Sequence, residues 1–435
     1  VTLLRRLEAG SDARFLTVLL ATALAVRLAF LAVAARLGLS LLGWDEVAIA
    51  RNLVAGRGYT FDYYSMFGPA RGPSAFFPPL YVANAWLLLS VFHSLMSLAV
   101  ENVLLSCGVA WAVFTLARTL FGSLVARIAL VLAVFYPPFI TRITHGGGLY
   151  FKMLLVVLVA IALESLWRRP RAGAAAMAGL AFAALILTMP DAVVWLALFV
   201  VAAAVAAMRG RALLAPALVT LAVAAVCVAP WTIRNARVFH RLCFVSTNGG
   251  FNLYMGQNPG TGDEMDFDAI LALDHRLGGA LARADELERD RILERASLAY
   301  VASSPGAALG HMLTRAVMHW GFRPSNLTAM GLPGPGDPRD YSRSYVLYIW
   351  SYAIAYFALL LLALPGIWLC RARWGELVPL ALATGYSTAV AAVFVVQTKM
   401  RLAKVEPLLV PFAALFLAER LRAAAVSRSR PLASS

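Results

Sequence analysis

Gly43-Trp44-Asp45-Glu46 opens a polar stretch that runs on through Ala50-Arg51-Asn52-Leu53 and Gly56-Arg57-Gly58-Tyr59 and closes on Pro78-Pro79-Leu80-Tyr81. It lies between a first hydrophobic segment, Arg14 to Leu42, and the next apolar run. Two adjacent carboxylates at the lip of a membrane helix are costly to place there unless they bind or react with something polar. This stretch is the strongest pointer to function, and the apolar runs on either side of it decide the class of fold.

Of the 435 residues 61% are hydrophobic and only 14% charged, and the mean hydropathy is +0.75. A soluble domain could not bury that much apolar surface, so the chain reads as an all-α polytopic membrane protein. Apolar segments fall near 14–38, 98–118, 124–141, 149–167, 172–189, 191–208, 212–230, 344–366, 376–396 and 405–421, which gives about ten spans. The net charge of +15, from 38 Lys and Arg against 23 Asp and Glu, would suit nucleic acid, but most arginines sit in short clusters between apolar runs. That is the positive-inside pattern of a membrane protein and excludes a nucleic-acid partner. Cys107, Cys227, Cys243 and Cys370 are scattered, with neither a disulfide framework nor a metal-ligand spacing. Arg5 and Arg6 precede a long apolar segment that lacks a small-residue cleavage site, so a retained first span is expected.

Leu80 to Leu98 is long enough for an eleventh span. If it does not cross, Arg118/Arg127, Arg168-Arg169-Arg171, Arg209/Arg211, Arg371/Arg373 and the tail Arg420/Arg422/Arg428/Arg430 share the cytoplasmic face with the N-terminus. If it crosses, nearly all of them move outside, against the usual bias. A helix lying along or dipping into the outer interface is therefore expected there, with Pro78-Pro79 at its start, where a missing N–H costs nothing. The same parity puts the Asp45 loop, the His145-Gly146-Gly147-Gly148 turn, residues 231–343 and the Gln397-to-Lys404 loop on the outer face. The expected organisation is a transmembrane module over 1–230 with a catalytic first outer loop at 39–97, a soluble outer region over 231–343, and C-terminal helices with a basic cytoplasmic tail over 344–435. Within the soluble region Ser246 to Gly262 reads as turns, Asp285 to Val301 as a helix with Glu/Arg pairs, and Pro324 to Pro338 as loop.

The first-loop motifs, with Pro73-Ser74-Ala75 added, resemble the first outer loop of the GT-C glycosyltransferases, in particular the bacterial branch related to protein O-mannosyltransferases and lipid A aminoarabinose transferases. Pro230-Trp231-Thr232-Ile233-Arg234-Asn235, then Ser246-Thr247-Asn248-Gly249-Gly250-Phe251-Asn252-Leu253 and Gly256-Gln257-Asn258-Pro259, is similar to that branch's entry into its soluble region. Lys399-Met400-Arg401-Leu402-Ala403-Lys404-Val405-Glu406-Pro407 resembles its basic segment before a late span. The resemblance implies a GT-C fold in the cytoplasmic membrane of a bacterial cell envelope, with the active site on the outer face. It also implies inverting transfer of a sugar from a polyprenyl-phosphate donor to a lipid, glycan or protein acceptor.

That reaction needs a carboxylate base within hydrogen-bond reach of the acceptor hydroxyl or amine. Asp45 is the candidate, with Glu46 as its partner; the plainer alternative for Asp45 is the N-cap of a short helix beginning near Val47. The departing polyprenyl phosphate gains negative charge, which Arg or Lys would stabilise. Arg71, Arg234, Lys399, Arg401 and Lys404 lie on the expected face for this, and Lys152 at the start of the fourth span could reach it. The matched motifs add Tyr81 and Asn235 to the donor-binding candidates. Lys399, Arg401 and Lys404 could instead anchor to anionic head groups, and Arg27, inside the first span, either snorkels or pairs internally.

Many relatives carry an acid in the second outer loop just before an apolar pair, whereas here the stretch is Gly146-Gly147-Gly148-Leu149-Tyr150. This argues against a metal site there, and no cofactor is called for; His145 could serve as a hydrogen-bond partner in that loop. An esterase is excluded because no Gly-x-Ser-x-Gly elbow accompanies His145-Gly146-Gly147-Gly148. The competing classes are a transporter or flippase of polyprenyl-linked lipid, which would show repeats and midplane charges, and a GT-C-shaped scaffold without activity.

Overall fold

With no water in the bilayer core, an apolar run must satisfy its own backbone, and helices do so within one segment. The computed structural model describes residues 11–36, 46–68, 72–144, 147–260, 267–321 and 343–429, and among these no strand occurs. The Pro324–Pro338 loop and, in the site, Asp45, Arg71 and His145 lie outside the described residues.

The helices are α1 (Asp12–Arg36), α2 (Glu46–Val54), α3 (Pro79–Phe92), α4 (Met96–Phe121), α5 (Ser123–Phe135), α6 (Pro137–Thr141), α7 (Leu149–Arg168), α8 (Ala172–Ile186), α9 (Ala192–Met208) and α10 (Leu214–Phe239). They continue as α11 (Gly249–Gly256), α12 (Phe267–Arg276), α13 (Ala280–Arg283), α14 (Glu286–Ser303), α15 (Pro305–Trp320), α16 (Arg343–Leu369), α17 (Val378–Val393), α18 (Thr398–Lys404) and α19 (Glu406–Ser429). By length and apolar character α1, α4, α7, α10 and the Trp350–Leu369 stretch of α16 are able to cross a membrane, and the bent pair α5–α6 adds a sixth. The sequence expectation of about ten also counted the runs that fold here as the shorter apolar helices α8, α9 and α17.

The bend between α5 and α6 is 53°, and its cause is chemical. Pro137 and Pro138 have no N–H to give to the carbonyls of Ala133 and Val134 one turn earlier. Arg27, fully buried on α1, supplies those donors: Nη2 bonds Ala133 O at 3.3 Å and Nη1 bonds Val134 O at 3.2 Å. Its Nε donates to the Ser106 hydroxyl on α4. The charge in the first span is thus an internal brace between three helices rather than a snorkelling group.

Two ends of the bundle are chemically distinct. At one, Asp12 bonds Arg127 at 2.8 Å and Arg118 at 3.3 Å, Arg168 donates to Thr119 O at 3.2 Å, and Arg373 holds Glu376 at 2.7 Å. The arginine clusters between the apolar runs therefore gather together. The opposite end carries α2, α3 and the start of α7. Helix α3 begins against Gly148, whose missing side chain is filled by the Tyr81 ring, and its Asn84 donates to Glu101 in an early turn of α4 at 2.5 Å. Asn102, beside Glu101, bonds Ile143 O at 3.0 Å, between α6 and α7, so α3, the start of α4 and the start of α7 lie together at this end.

A second core sits at that end. Phe61, Tyr63 and Phe76 of the first loop pack against Phe251, Tyr254 and Met255 of α11 and Leu293 of α14, with Tyr63 and Phe251 in an edge-to-face contact at 5.5 Å. Such aromatic pairs each contribute about 0.5–1.5 kcal/mol beyond burial. Helix α14 begins where expected, with Asp285 as N-cap accepting the Glu288 N–H at 2.7 Å.

Two expectations are corrected here. Helix α10 does not end at Pro230 but runs on to Phe239, so Arg234 and Asn235 belong to its last turns. Ser246 to Gly262, expected as turns, contains α11. Its glycines allow close packing rather than turning: a Cβ at Gly250 would lie 1.9 Å from Asp290 O, and one at Gly256 2.1 Å from Phe394 O.

The same logic holds α16 on α19, where a Cβ at Gly366 would lie 1.9 Å from Phe412 O. Gly366→Ala must separate these helices and is expected to cost about 1–3 kcal/mol, as overpacking does. Thermal unfolding in a fixed detergent checks this; a melting point equal to wild type would show that the two helices are free to part.

Candidate active site at the first-loop end

Helix α2 starts at Glu46, the residue after Asp45, and its carboxylate is 3% exposed. Oε1 lies 2.6 Å from Nζ of Lys152 on the first turn of α7. Lys152 also donates to Gly147 O at 2.9 Å, which leaves one of its three N–H bonds without a partner among the described residues. Glu46 Oε2 is buried and likewise lacks a hydrogen-bond partner among them. Gly148 has φ +64°, and a Cβ there would meet the Tyr81 ring at 2.7 Å. Only glycine suits both its backbone and that contact. The second-loop glycines, which in sequence looked like a missing acid, thus let Tyr81 and Lys152 approach Glu46.

Arg234 forms the other wall. Its Nη1 donates to Ser74 O at 2.7 Å and to Asn235 Oδ1 at 3.0 Å, and the guanidinium lies over Trp231 at 4.7 Å and Tyr59 at 5.4 Å. Tyr59 feels the charges of both Glu46 and Arg234, and burial raises its phenol well above the ordinary value. Asn235 is fully buried and donates to Val245 O at 3.3 Å, so it fastens the 243–247 segment to α10. Glu46, Lys152, Tyr81, Tyr59 and Arg234 are thereby gathered around the start of the first loop.

The basic segment 399–404 is arranged differently from the sequence expectation. Helix α18 packs on α7, the helix that carries Lys152, but Arg401 and Lys404 are 1% and 3% exposed. Arg401 Nε bonds Glu406 at 3.0 Å, its guanidinium covers the Tyr356 ring at 3.5 Å, and it donates to the carbonyls of His319 and Gly321. Lys404 is paired with Asp191. Both cations are held by internal carboxylates, which is how buried charge is tolerated. Lys399 is partly exposed on the same helix and has an interaction partner of its own.

Glu286 and Asp290 on α14 are site-building residues that sequence reasoning missed, because their spacing suggested surface Glu/Arg pairs. Glu286 accepts the Ala75 N–H at 2.7 Å and the Thr247 hydroxyl, and burial pushes its carboxyl above the usual range. Asp290 accepts the Phe251 N–H at 3.1 Å. Arg289 between them covers the Tyr63 and Phe67 rings at 4.7 and 4.6 Å. The charged face of α14 is therefore spent on docking the first loop and α11.

Burial, aided by repulsion from Glu294 and Glu286, raises Asp290 from 3.8 to about 7. A folded-state value above the ordinary one means that this group supports folding fully below about pH 4 and loses that support as pH rises to about 7. Asp290→Asn should therefore gain melting temperature relative to wild type as pH is raised through that window, with no further change above it. A difference that stays flat between pH 4 and 8 contradicts the assignment.

No known family profile matches this sequence, and no curated protein matches it. Among solved structures it is similar to the archaeal oligosaccharyltransferase AglB from Archaeoglobus fulgidus in complex with an inhibitory peptide and a dolichol-phosphate, at 15% identity over 98% of this chain and 52% of that one, TM-score 0.53. The apo form of the Archaeoglobus fulgidus oligosaccharyltransferase gives 14% identity over 96% of this chain and 51% of that one, TM-score 0.55. The same enzyme tethered to an acceptor peptide containing the NVT sequon gives 15%, 96%, 50% and 0.51. The chain accordingly shares the all-helical fold of these oligosaccharyltransferases, as the resemblance read from the sequence led one to expect. The chain spans about half the length of these oligosaccharyltransferases.

Proposed function

We propose that this protein is an inverting glycosyltransferase that moves a sugar from a polyprenyl-phosphate donor to a lipid, glycan or protein acceptor at the outer face of the cytoplasmic membrane. The observation that carries the reading is the buried Glu46–Lys152 pair, whose Glu46 follows Asp45 in the sequence, on a fold shared with oligosaccharyltransferases. One of those neighbours holds a dolichol-phosphate and an inhibitory peptide, which supports a lipid-linked donor.

In this reading Asp45 takes the proton of the acceptor hydroxyl as its oxygen attacks the anomeric carbon. The bond from that carbon to the phosphate oxygen breaks, and the polyprenyl phosphate leaves with the electron pair. The configuration inverts because attack and departure occur on opposite faces. Lys152 answers the charge that develops on the phosphate, with Arg71, Arg234 and Lys399 as further cations and Tyr81 shaping the sugar side. In the same reading His145, from the second-loop sequence, is assigned the part of a hydrogen-bond partner. Glu46 fixes the Lys152 ammonium, a fixed cation at the site. Arg401 and Lys404, committed to Glu406 and Asp191, are assigned to holding α18 rather than to the phosphate.

The Glu46 end is assigned to the outer face because the arginine clusters gather at the other. Ser65→Cys, in a background with the native thiols silent, should label with an impermeant reagent from outside; labelling only after permeabilisation would reverse the assignment. Function itself is tested by mass spectrometry of lipids that co-purify with the protein. A sugar-bearing polyprenyl phosphate is expected, and its absence from preparations made in donor-replete membranes would remove the proposed substrate.

A further inference from the structure

At the end opposite the Glu46–Lys152 pair, a cavity of about 420 Å³ opens between the last turn of α7, the α9–α10 link and the 371–376 turn. Its charged lining is Arg168, Arg211, Arg373 and Glu376, three cations against one carboxylate. Trp167 builds the floor. Its indole N–H donates to Gly375 O at 2.8 Å, and Arg211 lies over the same ring at 4.6 Å while donating to Trp167 O at 2.7 Å.

The charges are not evenly matched. Glu376 holds Arg373 at 2.7 Å and lies 3.7 Å from Arg168, and Arg168 also faces Glu164 at 3.5 Å. Among the described residues no ion pair reaches Arg211, and the Trp167 carbonyl uses one of its five N–H bonds. Arg211 is therefore oriented by an aromatic ring and a carbonyl, with its charge left for something else.

The surroundings favour a lipid over a soluble anion. The cavity lies within the roughly 300–1,000 Å³ range of small-ligand clefts, larger than a lone phosphate needs. Trp374, in the 371–376 turn that lines the cavity, and Trp368, near the end of α16, are 56% and 67% exposed, as aromatic side chains are at a membrane–water interface. Along α16, Trp350, Ile354, Phe357, Leu361, Leu364 and Trp368 form one exposed apolar stripe that ends beside Arg371, which covers Trp368 at 5.2 Å.

We propose that this cavity binds the head group of an anionic phospholipid, its phosphate on Arg211 and Arg373 and its acyl chains along the apolar stripe of α16. Basic pockets at the cytoplasmic ends of membrane helices are suited to such head groups. The site is separate from the proposed transfer chemistry and does not depend on it.

The test is native mass spectrometry and thermal unfolding of the full chain in a neutral detergent, with phosphatidylglycerol, phosphatidylcholine or free glycerol phosphate added. Phosphatidylglycerol should bind and raise the melting point, and the other two should not. Arg211→Gln should weaken phosphatidylglycerol binding about tenfold or more, the effect of one charge-assisted contact. Arg373→Gln gives the same reading should the first variant fail to fold. Arg14→Gln, which removes an exposed cation near the same end, should change nothing. Equal binding by Arg211→Gln and Arg373→Gln, or an equal loss in Arg14→Gln, would reduce the site to diffuse head-group attraction and overturn the proposal. A response to glycerol phosphate as large as that to the lipid would overturn the lipid assignment.

Discussion

Asp45→Asn lowers the transfer rate about a hundredfold or more, the usual cost of losing one general base, while the amount of donor lipid retained stays near wild type. The amide keeps the shape of the carboxylate and cannot accept the acceptor's proton. Because Glu46 is already bound to Lys152 at 2.6 Å, it is a poor substitute base, and rescue from within the site is not expected. Single-turnover transfer with the co-purified donor, compared with donor retained on the column, separates the two effects. Near-normal turnover in the variant would return Asp45 to the N-cap of α2 and require another base.

Glu406→Ala destabilises the fold by about 3–5 kcal/mol, the cost of leaving one partner of a buried ion pair alone. Glu406 is fully buried and accepts from Tyr136 at 2.7 Å, Tyr352 at 2.9 Å and Arg401 at 3.0 Å. Removing it leaves the buried Arg401 guanidinium without a counter-charge, held only by the His319 and Gly321 carbonyls and the Tyr356 ring. Glu406→Gln should cost less, because it keeps an acceptor for the tyrosines. Glu406→Leu combined with Arg401→Met should recover most of the loss, since a buried pair replaced as a whole by apolar groups is often neutral. Denaturant titration in one detergent measures all three. A Glu406→Ala variant within about 1 kcal/mol of wild type would mean that water or head groups reach Arg401, which would restore it as a phosphate ligand.

How far the chain could be read in advance follows from the range of each interaction. The start of the helix expected over 80–98 was legible from Pro78-Pro79, though it ends early at Phe92, and α14 was legible from its periodicity and Glu/Arg pairs, because such signals act within a turn or two. The long spans followed from apolar length alone. Helix α11 was not legible, since Gly249 and Gly250 signal a turn locally and reveal their packing role only against Asp290. Arg401 looked free because the groups that hold it include His319 and Tyr356, far away in the chain. Arg27 was ambiguous for the same reason: its partners are carbonyls released by two prolines more than a hundred residues later. In the candidate site, Glu46 and Lys152 were each visible as polar residues beside apolar runs, but nothing local to either announced their pairing across 106 positions.

The most direct test of transfer is to follow the anomeric carbon itself. The donor recovered by mass spectrometry is prepared with 13C at that carbon and incubated with the protein in liposomes. NMR should show the phosphate-coupled signal disappear, a glycoside of opposite anomeric configuration appear, and one polyprenyl phosphate released per sugar moved. If the label stays on phosphate and merely changes leaflet, the protein is a carrier of polyprenyl-linked sugar and not a glycosyltransferase.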